Sequence, residues 1–128
     1  MASKFHSRKT RVNGQLFDSR KEARRFVELS LLLKSGAITD LRTQVPFELI
    51  PAQYSTVDTG RVYKRGEHKG EPILKRICIE KALKYVADFT YYKDGELVVE
   101  DAKGVRTKDY VIKRKLALYL KGIRIKEV

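Results

Sequence analysis

Apolar and polar residues alternate in two ways along this chain, and the two periods divide it into elements. Residues 10–17 carry short extended runs on either side of Asn13-Gly14, a dipeptide suited to a two-residue hairpin turn. A helical pattern follows. Ser19 is a good N-cap with Glu22 three residues on, and Gly36 stands after the last turn as a stop. At 100° per residue, Ala23, Phe26, Leu29, Ser30 and Leu33 share one broad face; Glu22 falls on it and Glu28 falls opposite, toward solvent. Strand-like runs are expected at about 44–50 and 73–80, with Pro46 marking the first as an edge strand or a late start. Residues 51–72 read as a glycine- and charge-rich loop or loose hairpin carrying Arg61, Lys64, Arg65, His68 and Lys69.

The strongest local signal comes next. Lys84–Tyr92 and Glu96–Lys103 are strand-like runs joined by Asp94-Gly95, which predicts a type I′ hairpin. A second helix is predicted over Thr107–Lys121, apolar around much of its circumference as if packed on more than one side. Gly122 ends it, and Ile123–Val128 reads as a last strand. The order is α-β-β-β-α-β after an N-terminal hairpin: an α/β domain with a central mixed sheet flanked by helices. A length of 128 residues fits one domain spanning 1–128, with 1–9 a flexible basic N-terminus.

Composition narrows the function. The longest apolar runs are a few residues, so no membrane span is expected, and the basic start of the chain lacks the apolar core of a secretory signal. A single cysteine, Cys78, excludes an internal disulfide and fits a reducing cytoplasm. Within Ile77-Cys78-Ile79 it reads as a buried packing residue. His6 and His68 are too far apart in sequence to offer zinc-ligand spacing.

A formal charge of +12 points to a polyanionic partner. The charge is also unevenly spread. Segment 85–101 holds Asp88, Asp94, Glu96, Glu100 and Asp101 against Lys93 alone, whereas 1–25 has eight Lys/Arg against Asp18 and Glu22, and 102–126 has nine against Asp109 alone. An acidic island in a basic chain suits a divalent cation at a phosphate-binding surface; ordinary hairpin polarity is the competing explanation.

The hairpin register sharpens this. With Asp94 and Gly95 as the turn, paired positions sum to 189, so Asp88 faces Asp101 across the ladder. Like charges there repel, so a cation, a shared proton or a nearby base has to compensate. Lys103 lies two residues beyond Asp101, on the same face. Glu100 falls on the other face with Phe89. Two carboxylates beside an ammonium suit phosphodiester cleavage with Mg²⁺ or Mn²⁺, and equally allow a plain salt-bridged triad.

Asp88 followed by Asp101-Ala102-Lys103, after a helix bearing Glu22 and before a second helix, resembles the signature of the PD-(D/E)XK, or restriction-endonuclease-like, nucleases. The likeness runs over about 16–128 and is nearest to small phage-encoded Holliday-junction-resolvase-like members; Ala87 stands where the family name has proline, and Asp101 where Glu is commoner. The resemblance implies a Mg²⁺- or Mn²⁺-dependent endonuclease acting on branched or structured DNA, working as a homodimer in a host cytoplasm. Asp88, Asp101, Lys103 and Glu22 would be catalytic. The metal would sit on Asp88, Asp101 and the Ala102 backbone carbonyl, with Glu22 reaching it through water. As N3 of a capping box, Glu22 could instead serve only its helix. Arg20, Arg24, Arg25, Lys108, Lys113, Arg114 and Lys115 are the candidate DNA contacts. Gln44 borders the site by the same resemblance, although an ordinary strand position is the plainer reading. Tyr91 and Tyr92 read as packing residues of the hairpin. The alternatives are a nuclease of nicking, repair or sequence-directed specificity, and a non-catalytic basic DNA-binding module.

Overall fold

A computed structural model describes residues 9–128. The basic N-terminal stretch expected at 1–9 therefore lies outside the described residues except for Lys9. In chain order the elements are β1 (Thr10–Val12), β2 (Gln15–Phe17), α1 (Arg20–Ser35), β3 (Thr39–Ile50), β4 (Gln53–Val62), β5 (Pro72–Glu80), β6 (Leu83–Lys93), β7 (Glu96–Asp101), α2 (Lys108–Lys121) and β8 (Ile125–Glu127). The architecture is mixed α/β, and contacts divide it into two compact units: the chain up to Leu49 with Lys84–Val128, and Ile50–Leu83.

The first unit is built on a four-stranded sheet in the order β3-β6-β7-β8. β6 and β7 are antiparallel and β7 and β8 parallel, so the sheet is mixed. Asp94 (φ 52°) and Gly95 (φ 78°) both take the left-handed conformation that a type I′ turn needs. The register runs from Lys93↔Glu96 to Phe89↔Glu100, as the turn dictates. β3 lies at an edge of the sheet, the position in which a strand tolerates a proline such as Pro46. The β1–β2 hairpin turns at Asn13-Gly14.

Both helices are capped as their sequences require. Ser19 Oγ accepts from Glu22 N–H, and Gly36 (φ 83°) closes α1, its N–H donating to the Leu33 carbonyl and that of Ala37 to the Leu32 carbonyl. Thr107 and Gly122 do the same for α2. The core joins Phe17, Ala23, Leu29, Ile38, Phe89 and Tyr91, with Phe26 packed against it. Phe17 and Phe26 rings lie 4.8 Å apart, and Phe26 stacks near Phe89 at 6.4 Å, which seats α1 on the hairpin. Leu33, expected on the inner face, is 41% exposed: it lies in the last turn, beyond the reach of this cluster. The expectation that α2 packs on several sides also fails. Only Tyr110 and Ala117 of α2 are buried, and Ile112, Leu118 and Tyr119 are exposed.

The second unit is a two-stranded antiparallel ribbon of β4 and β5. Its strands extend well into the segment read from sequence as a loop. The β-branched pair Thr56-Val57 outweighs the glycines and charges, most of which gather toward the turn. Cys78 is exposed rather than buried, because a two-stranded ribbon has no second layer to cover it; its Sγ donates to the Glu80 carbonyl at 3.2 Å.

Candidate functional site

The β6–β7 ladder runs to Phe89↔Glu100, and Asp88 and Asp101 are the next residue on each strand, near enough to interact. Asp88 Oδ2 accepts the Ala102 N–H at 2.9 Å, the backbone bond that ties the two acidic positions. Asp101 is fully buried. Its Oδ2 accepts from the Tyr85 hydroxyl at 2.5 Å, and its Oδ1 lies 2.9 Å from Lys103 Nζ. That ion pair is close but poorly directed, and Oδ1 has no aligned hydrogen-bond donor. Lys103 Nζ also sits 4.3 Å from the centre of the Tyr110 ring, so α2 contributes a π face to the cation.

Glu22 reaches the same place from the first turn of α1. It is buried to 4% exposure, and its Oε1 accepts from Gln44 Nε2 at 2.8 Å. The same amide lies 3.4 Å from Asp88 Oδ1. Gln44 thus bridges the helix carboxylate and the hairpin carboxylate. Its backbone is left-handed (φ 52°), costly for a side-chain-bearing residue and unexpected inside a strand. This departure from regular strand geometry accompanies the bridging role. Ser19 uses Glu22's N–H, while Glu22's carboxylate turns to Gln44, so its side chain serves more than the helix cap.

Crowded carboxylates out of water resist ionisation. Burial, then the neighbouring carboxylates of Asp101 and Glu22, push Asp88 up to about 8, against which the Ala102 N–H pulls weakly. Burial and Asp18 raise Glu22 above its ordinary value, opposed by the Gln44 bond. Tyr85 is raised by burial and by its bond to Asp101, so it remains a donor at all ordinary pH. Among the described residues, no three His, Cys, Asp or Glu side chains gather tightly enough to hold a metal by themselves.

Glu100 belongs to a different structure. It is fully buried on the other side of the strand, where Arg25 grips it through two hydrogen bonds of 2.8 and 2.7 Å and Tyr91 also donates to it. Burial alone would raise its pKa; the Arg25 guanidinium outweighs this and holds it below the ordinary value. Arg25, expected to face DNA, is committed to Glu100 and Glu28 instead, because it lies on the flank of α1 nearest the sheet. Tyr91 is buried as a packing residue, whereas Tyr92 is 41% exposed.

The other expected phosphate contacts divide. Arg20, Arg24, Lys108 and Lys115 are exposed; Lys113 is half-buried; Arg114 pairs with Glu127 at 3.3 Å. A cleft of about 610 Å³ opens beside Lys103, lined by Lys21, Gly104, Val105, Arg106, Glu127 and Val128. Lys21 Nζ donates to the Lys103 carbonyl at 2.7 Å and so fixes the backbone of the acid-X-Lys segment. Lys21, Arg106, Tyr85 and Tyr110 are therefore site residues that sequence reasoning missed. Lys21 was visible next to Glu22, but no periodicity in the sequence aims Tyr85 at Asp101.

No curated protein and no solved structure matches this chain. A family model matches residues 2–125, and the chain belongs to the family described as "Protein of unknown function (DUF1064)".

Proposed function

We propose that this protein is a Mg²⁺- or Mn²⁺-dependent endodeoxyribonuclease of the PD-(D/E)XK type. One observation carries the reading: two aspartates, a lysine and a helix-borne glutamate, distant in sequence, share one cluster bridged by Gln44. A hard cation fits this cluster. Its donors are all oxygen, Asp101 Oδ1 is buried beside Lys103 without an aligned hydrogen bond, and a cation would relieve the crowding that raises Asp88. Asp88, Asp101 and the Ala102 carbonyl would hold it, with Glu22 acting through water. A set of only two direct carboxylates suits Mg²⁺, which retains several waters of its own.

When bound, the cation supplies an activated water and offsets charge on the phosphate. The chain's own groups do the rest. Lys103, paired with Asp101, is partly exposed and orients the attacking water or a phosphate oxygen. Tyr85 holds Asp101 in place, and Gln44 sets Glu22 against Asp88. Lys21 and Arg106 in the adjoining cleft, with Arg20, Arg24, Lys108, Lys113, Arg114 and Lys115, take the DNA backbone. Branched DNA is the proposed substrate, and a homodimer making paired cuts the proposed assembly, both by family resemblance. For such a protein the proposed compartment is the host cytoplasm. The described helices are too short and polar to cross a membrane.

The test is a gel assay of purified protein with Mg²⁺ or Mn²⁺ on four-way, flap, single-stranded and duplex DNA. Metal-dependent cleavage that disappears in Asp101→Asn supports the reading. Binding without cleavage of any substrate overturns it in favour of a DNA-binding module.

A further inference from the structure

The ribbon of β4 and β5 has no role in the proposed chemistry, yet it is unusually unfinished. An isolated two-stranded hairpin is marginal in water and normally needs a partner surface. Every residue of β4 is exposed, and the ribbon leaves Tyr54, Val57, Val62, Tyr63, Leu74 and Ile79 open to solvent. Its charges are equally unmatched. Seven basic residues (Arg61, Lys64, Arg65, Lys69, Lys75, Arg76 and Lys81) face four acids (Asp58, Glu67, Glu71 and Glu80), an excess of three. Among the described residues, none of the seven pairs with a carboxylate.

The basic residues are concentrated where the ribbon turns. Arg61, Val62, Tyr63, Lys64 and Arg65 run consecutively and line one cleft of about 600 Å³ with Gly60 and Ile73. The turn itself is ordered: Gly70 N–H donates to the Tyr63 carbonyl at 2.8 Å, and Tyr63 N–H to the Glu71 carbonyl at 3.0 Å. Gly60 (φ 76°) lies where the ladder register shifts, a bulge that re-aims the strand before Arg61. Farther down, Arg76 lies over the Tyr54 ring, 3.8 Å from its centre, which holds that guanidinium flat along the ribbon face.

We propose that the β4–β5 ribbon is a DNA-binding arm that enters a duplex groove, with Arg61, Lys64 and Arg65 contacting phosphates at its turn. The major groove admits a two-stranded ribbon. Ten residues of strand span roughly 34 Å, about one turn of duplex. Phosphates supply the charge that the ribbon lacks, and groove walls cover its apolar side chains. A second copy of this chain would bring another ribbon with the same excess of positive charge, so charge complementarity favours DNA. The inference rests on the proposed function only for the identity of the polyanion.

The test is fluorescence anisotropy of a labelled 30-base-pair duplex (a length of about three turns), titrated in EDTA at several KCl concentrations. The triple variant Arg61→Ala/Lys64→Ala/Arg65→Ala is compared with wild type. All three positions are exposed, and a circular dichroism melt verifies that the variant folds. The expected result is at least about a tenfold loss of affinity and a salt slope lower by about 2 to 3, roughly 0.9 for each phosphate contact removed. An unchanged slope and affinity, or a wild type that does not bind duplex DNA, overturns the arm. So does a wild-type dimer that Leu74→Ser/Ile79→Ser converts to monomer with DNA affinity intact, which would assign the ribbon to a second copy. Cleavage in Mn²⁺ is scored separately. Tip-dependent binding by a protein that cuts nothing leaves the arm standing and refutes the nuclease.

Discussion

Replacing Asp88 by asparagine asks whether the two hairpin carboxylates strain the metal-free protein. Asparagine copies the shape of the protonated acid, and its carbonyl can still accept the Ala102 N–H that Asp88 Oδ2 accepts at 2.9 Å. In the folded wild type, burial and the neighbouring carboxylates raise Asp88 from 3.8 to about 8. Between those values the native state binds a proton that the unfolded chain has released. Stability therefore falls as pH rises through this window and is fully present only below the lower value. Each pH unit is worth up to about 1.4 kcal/mol, so the ceiling between pH 5 and 8 is about 4 kcal/mol. For a chain of this size that is on the order of 10 °C in Tm. Asp88→Asn lacks the titration, so its profile should be flatter by that amount, and it should melt above wild type at pH 8 in EDTA. Saturating Mn²⁺ should narrow the gap, because the cation takes the place of the proton in wild type and gains about 2.7 kcal/mol at a hundred times its Kd. The assay is a set of melts at pH 5 to 9, with EDTA or Mn²⁺. Parallel pH profiles for the two proteins in EDTA would refute the crowding argument. An equal Mn²⁺ shift in both would move the cation elsewhere.

Asp101→Asn and Lys103→Ala should each reduce cleavage by at least about a hundredfold, with DNA affinity within a few-fold of wild type; coupled losses of both on gel shifts would contradict the separation of binding from chemistry. Lys113→Ala/Arg114→Ala should weaken binding and lower the salt slope by one to two, with cleavage recovered at high protein concentration, and cleavage still absent there would implicate the fold instead. Arg25→Ala should cost about 3 kcal/mol or more in denaturant unfolding, because it strands the buried Glu100 carboxylate, while Lys108→Ala at an exposed position should change stability by under about 0.5 kcal/mol. Equal effects of the two would show that Glu100 finds another partner. Gln44→Ala should slow cleavage more than it weakens binding, as expected for a positioning residue; a pure loss of affinity would make it a DNA contact.

Local chemistry by itself determined much of this protein. Asp94-Gly95 set a two-residue turn, and a period of two then dictated that Asp88 meets Asp101 while Glu100 faces away. Ser19, Gly36 and Gly122 marked helix ends, since caps satisfy backbone groups within a few residues, while Thr107, read as the first helical residue, is the N-cap of α2. Pro46 placed its strand at an edge for the same kind of local reason. What tertiary structure decided is where side chains go once elements pack. Arg25 carries the same charge as Arg24, but only Arg25 lies against a buried Glu100. Gln44's contact with Asp88 and Tyr85's contact with Asp101 join residues forty-four and sixteen apart in sequence, which no local pattern encodes. Cys78 and the apolar residues of α2 looked buried because their side chains are hydrophobic, yet burial requires a covering layer, and hydropathy along one segment does not record whether another segment supplies it.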